Sequence, residues 1–155
     1  MPDYGNFAGT GPILKYKPIY SSYGLNCWIR TIASEKYLEP FFFRRESAIP
    51  YPSQTPVFAN SVWFSTGPVN DSPPTKDLYY YDTKDAFIVI SDFQIARHGS
   101  RGPVRSSTPV APGTPLGPWV NNVGCFDGHV ERAKLDDLWQ FYWNKNWEQP
   151  FMRPR

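Results

Sequence analysis

The chain is poor in the side chains that usually carry chemistry. Its 155 residues include two cysteines, two histidines and two methionines. Cys27 and Cys125 lie far apart in sequence, which excludes a CxxC redox or zinc motif. They either pair, closing a long loop in an oxidising compartment, or serve as two small buried apolar residues. No GxSxG, HExxH, P-loop or GxGxxG pattern is present, and no pair of carboxylates is set apart as acid and base. An enzyme reading therefore has no anchor, and no cofactor is expected. Charge of one sign is also lacking. A net charge of +2 and a pI near 8.5 are too mild to point to a nucleic acid. The one basic concentration, Arg97 to Arg105 with three arginines, has no aromatic platform interleaved with it and reads as a solvated loop. Long apolar runs are missing as well. Ala86 to Ile90 is far short of the ~20 residues that cross a bilayer. Met1-Pro2-Asp3-Tyr4 is neither a charged nor an apolar leader region.

What is abundant is aromatic side chains and proline. Six Trp, ten Tyr and eleven Phe are more than a disordered chain carries, so 17 prolines notwithstanding, the composition is that of a folded domain. A chain of this size buries roughly two-thirds of its unfolded surface and suits one domain, residues 1–155.

Strand signals recur along the chain. Leu25, Cys27 and Ile29 alternate with Gly24, Asn26 and Trp28, which predicts a half-buried strand over 24–29. Ser34 to Leu38 can open a short helix limited by Pro40, and Phe41 to Phe43 reads as a strand. Prolines 50, 52 and 56 exclude both helix and central strand from 48–56. Residues 57–64 and 87–96 are rich in strand formers. A long Pro/Gly loop covers 99–122, a length that is usually functional or mobile. Asp127-Gly128, between the apolar-polar runs 122–126 and 129–132, is a hairpin signal. Leu135, Leu138, Trp139, Tyr142 and Trp143 follow the spacing of one helix face, with Asp136 and Asp137 in the first turn, so a helix is predicted near 135–145. The expected fold is α+β: an antiparallel sheet with long Pro/Gly-rich loops and a short C-terminal helix.

His98, Asp127 and His129 form the one cluster with metal-ligand chemistry. A zinc site needs three or four such ligands, whereas an Asp in a turn more often bonds its own backbone. Both readings stay open from sequence. Trp63, Tyr79, Tyr80, Tyr81 and Trp119 flank loops and offer flat platforms for a glycan- or peptide-binding module.

One resemblance covers about residues 20–150. Phe126 to Glu131 and Lys134 to Trp139, preceded by Ala96-Arg97-His98-Gly99, resemble bacterial prepilin-type proteins defined by a His followed by an Asp-Gly pair. Tyr23 to Asn26 and Pro56 to Trp63 fit the same pattern. The motif falls on His98, Asp127 and Gly128, although 28 residues separate His98 from Asp127, so the Pro/Gly loop stands as an insertion. The resemblance implies a pseudopilin-like globular domain in which a long apolar N-terminal helix packs on an antiparallel sheet and anchors the protein in the inner membrane. That helix is absent from this sequence. The resemblance further implies a non-enzymatic assembly component, periplasmic or at the cell surface. Its partners would be other pilin-like subunits or secretion-system proteins, its membrane contact would run only through the missing helix, and no nucleic acid would be involved.

Overall fold

With 17 prolines few stretches can carry a continuous ladder, and the strands are accordingly short. A computed structural model describes residues 23–30, 36–79 and 89–154. The strands are β1 (Tyr23–Asn26), β2 (Pro56–Asn60), β3 (Ser65–Thr66), β4 (His98–Gly99), β5 (Trp119–Cys125) and β6 (Val130–Lys134). They form one six-stranded sheet. β1 pairs β2 antiparallel and β3 parallel, and β5 pairs β2, β4 and β6 antiparallel. β6 takes one side of β5, while β2 and β4 share the other, β2 at Val123 to Cys125 and β4 at Trp119 and Val120. The sheet is thus mixed rather than antiparallel throughout.

The hairpin at Asp127-Gly128 is present. Gly128 has φ +94° and its N–H donates to the Cys125 carbonyl at 3.0 Å. β5 and β6 then pair over Val120↔Lys134 to Gly124↔Val130, a longer ladder than the 122–126 and 129–132 runs predict. Proline excludes less than expected. β2 is a central strand that starts at Pro56, and the first position of a strand tolerates the missing N–H. Pro52 likewise opens a 3₁₀ turn, Pro52–Gln54.

Other expectations need correction. Residues 57–64 do not run on as one strand; β2 ends at Asn60, and Ser61 and Val62 bond to the Asp92 carbonyl instead. Of 87–96, residues 87 and 88 lie outside the described set, and Ile90–Phe93 is a 3₁₀ helix rather than a strand. Ser34 and Glu35 also lie outside, and Lys36–Phe41 is a 3₁₀ helix with Pro40 inside it. Phe42 and Phe43 are buried but form no strand. The C-terminal helix is a 3₁₀ helix, Leu135–Gln140, and does not reach 145. Phe141 turns extended, and the Tyr142 N–H bonds the Gln54 carbonyl. The predicted stripe still packs. Leu135, Leu138, Trp139 and Trp143 are fully buried, and the Trp143 and Trp147 indoles donate to the Leu138 and Trp139 carbonyls at 2.7 and 3.1 Å. Side chains thereby satisfy acceptors that a longer helix would have used.

Two buried clusters result. The larger joins Ala59, Val123 and Ala133 of the sheet to Ile90, Phe93, Leu135, Leu138, Trp139 and Trp143, with Phe93 stacked on Trp143 at 4.6 Å. The smaller surrounds Trp28 with Phe41, Phe42, Phe43 and Ile49. The long loop is tied down. Leu116 is buried in the larger cluster and its N–H bonds the Asp136 carboxylate at 3.0 Å, while Arg153 pairs with Asp136 at 2.5 Å. Asp77 holds Ser107 and Thr108 at 2.5 and 3.1 Å.

Asp92 is the exception within the larger packing. It is fully buried, and neither carboxylate oxygen accepts a well-formed hydrogen bond. Desolvation pushes its pKa up to about 6; the nearby Thr66 hydroxyl offsets part of that. Because the folded state holds this proton more tightly than the unfolded chain, Asp92's contribution to stability falls as pH rises from about 4 to about 6 and is level above that. The loss amounts to about 3 kcal/mol across the window. Asp92→Asn should remove the slope and raise stability at pH 7.5 by about 2 kcal/mol, as read by urea melts from pH 4 to 8; a wild-type profile flat over that range would refute it. Gly128→Ala should destabilise by about 1 kcal/mol, since no atom lies within 4 Å of an added Cβ and the cost is conformational. An unchanged melt would contradict this.

Candidate functional site

The motif residues end up at opposite ends of β5. His98 pairs with Val120, near the start of the strand, and Asp127 follows its last residue, Cys125. At ~3.3 Å per residue the two ends are about 16 Å apart, so His98 takes no part in a site with Asp127. Asp127 and His129 do meet. Asp127 Oδ1 accepts from the His129 ring Nδ1 at 2.6 Å and from its backbone N–H at 3.2 Å. Glu131 approaches the other ring nitrogen at 3.6 Å. Among the described residues no three His, Cys, Asp or Glu side chains converge as metal ligands, which corrects the His98–Asp127–His129 metal site. The two cysteines are free and buried, in different clusters: Cys27 beside Trp28 and Cys125 beside Val123. The disulfide is not formed. Burial raises the Cys27 thiol pKa to about 11 and the Cys125 thiol to about 12, so neither is a nucleophile near neutrality.

The Asp127–His129 contact has an electrostatic signature. The hydrogen bonds from His129 hold the Asp127 carboxyl below its ordinary range. The bond to Asp127 raises the imidazole above its own, against some desolvation. The aspartate's contribution is present above the unfolded carboxylate pKa and lost as pH falls; the histidine's is present in acid and lost as pH rises through the raised imidazole pKa. The contact is therefore strongest in the mildly acidic range between them.

The aromatic platform is only partly available. Trp119 is half-buried, and its indole N–H donates to the Gly102 carbonyl at 2.9 Å, which commits it to holding the loop. Trp63 is half-buried and tilts against Phe64 at 5.1 Å. Tyr79 is exposed, and Tyr80 and Tyr81 lie outside the described residues. In the basic loop Arg101 and Arg105 are exposed, while Arg97 is half-buried and burial lowers its pKa.

The sheet also presents a surface that the sequence pattern does not reveal. β1 has the opposite phase to its predicted one: Gly24 and Asn26 are buried, whereas Tyr23 and Leu25 are 44% and 50% exposed. Leu25 pairs with Phe58, Phe58 with Gly124, and Gly124 with Val130. Directly paired residues share a face, so these four form a row across β1, β2, β5 and β6 on the side away from the core. Phe58 is 39% and Val130 61% exposed. Phe58 lies over Gly124, where a Cβ would run into its ring, and Tyr23 meets it edge-on at 5.9 Å. The signal available in sequence was Val130 alternating with Arg132 and Lys134 rather than with apolar residues.

No family model, curated protein or solved structure matches this chain.

Asp127→Asn should bring the His129 imidazole pKa back down towards its ordinary value, as followed by NMR titration of the ring protons. An unshifted titration curve would show that the contact is not formed in solution.

Proposed function

We propose that this chain is the extracytoplasmic domain of a pseudopilin-like assembly component, acting by docking rather than catalysis on the outer side of the inner membrane. One observation carries the proposal: the apolar row Leu25–Phe58–Gly124–Val130 crosses the outer face of a sheet whose inner face is already filled by the core. An apolar sheet face calls for a second layer; in the prepilin-type proteins that the sequence resembles the protein's own apolar helix packs on the sheet, and we assign this outer face to a helix of a partner. Under this reading His98 and Asp127-Gly128 are structural brackets for β5, one pairing with its start and the other turning the chain after its end. Their separation along the strand is no obstacle to that role. The partners are pilin-like subunits or secretion-system proteins that place a helix on this face.

A photo-crosslinking amino acid at position 58, in cells that express the protein, tests this directly. The expected product joins it to a pilin-like subunit in the inner-membrane fraction. Recovery of the protein in the cytosolic fraction with no crosslink would overturn the proposal.

A further inference from the structure

The outer sheet face carries a second pattern beside the apolar row. On β6 the period of two sends Val130, Arg132 and Lys134 outward, and turns Glu131 and the buried Ala133 the other way. The acidic hairpin group follows Glu131: its contact with His129, and that of His129 with Asp127, place all three on the opposite side from Val130. Among the described strand residues that point outward there is no carboxylate. Arg132 pairs with Asn122 and Lys134 with Val120. Neither cation forms an ion pair among the described residues. Along the strands, Arg132 stands about 7 Å and Lys134 about 13 Å from the apolar row.

We infer that the apolar row Leu25–Phe58–Val130 and the unpaired Arg132 and Lys134 together receive an amphipathic helix of a partner protein that carries carboxylates along one flank of its apolar stripe. This rests on the docking role proposed above and names the chemistry of the docked segment. The row spans three inter-strand spacings, about 14 Å, or roughly nine residues of helix at 1.5 Å each. A helix laid along it has its axis across the strands, and the flank on the Arg132 side reaches both cations. Two features favour a protein layer over a lipid surface. Phe58 leans over Gly124 and Tyr23 packs edge-on against it, so the ring at the centre of the row is held against the sheet rather than free to insert between acyl chains. Arg132 and Lys134 also point outward on the same face as the apolar row, so their charges would enter a bilayer together with it, whereas an interfacial segment buries its apolar side chains ~5–10 Å below the headgroups. Acidic residues on the helix give register and choice of partner; the apolar stripe gives most of the contact.

The test uses the full chain and three probes. Two are fluorescent synthetic helical peptides with the same Leu/Val stripe, one flanked by Glu and one by Lys; the third is phosphatidylglycerol vesicles. Titration at low salt should show the Glu-flanked peptide bound about fivefold more tightly than the Lys-flanked one, the gap closing as salt is raised. The double variant Arg132→Glu, Lys134→Glu should invert that preference, an outcome a misfolded protein cannot give. Phe58→Ser should weaken both peptides. Equal binding of the two peptides overturns the acidic-flank inference and leaves the docking role to the crosslinking experiment. Binding of vesicles alone, or of no probe, overturns the helix as occupant.

Discussion

The sheet depends on a side chain that does the work of backbone. Asn121, fully buried on β5, accepts from the Asn60 N–H at 2.8 Å and donates to the Asn60 carbonyl at 2.8 Å. A primary amide has the same donor and acceptor as a peptide unit, so Asn121 continues the β2–β5 pairing where the ladder itself stops. Its second N–H reaches the Phe93 carbonyl at 2.5 Å and fixes the 3₁₀ helix Ile90–Phe93 under the sheet. Asn26 does the same at the other end of β2, donating to the Pro56 and Trp143 carbonyls at 2.9 and 2.7 Å while its own oxygen takes the Trp28 N–H. Buried backbone groups need partners whatever the local structure. In a proline-rich chain with short strands and 3₁₀ turns, amide side chains supply them.

The same requirement explains what sequence patterns reveal here and what they hide. The hairpin was legible because Asp-Gly acts through local backbone preference, and Gly128 has the positive φ that such a turn requires. The buried stripe from Leu135 to Trp143 was legible as burial but not as helix. Periodicity reports which side chains face the core; the backbone beyond Gln140 is set by bonds to Gln54 and Phe41, more than eighty residues away in sequence. Nor could pattern show that Asn26 and Gly24 face inward while Leu25 faces out. Hydrophobic alternation assumes that the polar residue seeks water, and Asn26 instead finds two carbonyls and an N–H inside. Gly24 is inward because its missing side chain lets the Trp63 carbonyl and Ser61 approach.

The inverted phase of β1 bears directly on function. A strand that turns Asn and Gly inward has to put its apolar residues outward, and Leu25 and Tyr23 then stand in the open. Val130 repeats the pattern on β6, separated from β1 by two strands. Exposed apolar residues in register across four strands are not the scatter of single exposed apolar residues common to all surfaces. By contrast, the sites that chemistry-bearing residue types suggested dissolve: His98 is at the wrong end of β5, the thiols are buried in separate clusters, and Trp119 is engaged with Gly102.

On β6 two requirements meet in one short strand. As an edge strand it exposes unpaired backbone, and charged side chains there discourage pairing with another sheet. Glu131, Arg132 and Lys134 would provide that protection in any arrangement. Their arrangement is nevertheless not neutral: the acid falls on the side of the Asp127–His129 contact and both bases fall on the side of the apolar row. Protection alone has no need to separate the signs across the sheet, since like charges two residues apart on one strand repel slightly. A helix-binding face does need it, because a carboxylate among Leu25, Phe58 and Val130 would be desolvated without a partner when the face is covered. The separation is what the proposed docking requires and edge protection does not, and this ties the charge pattern of β6 to the apolar row beside it.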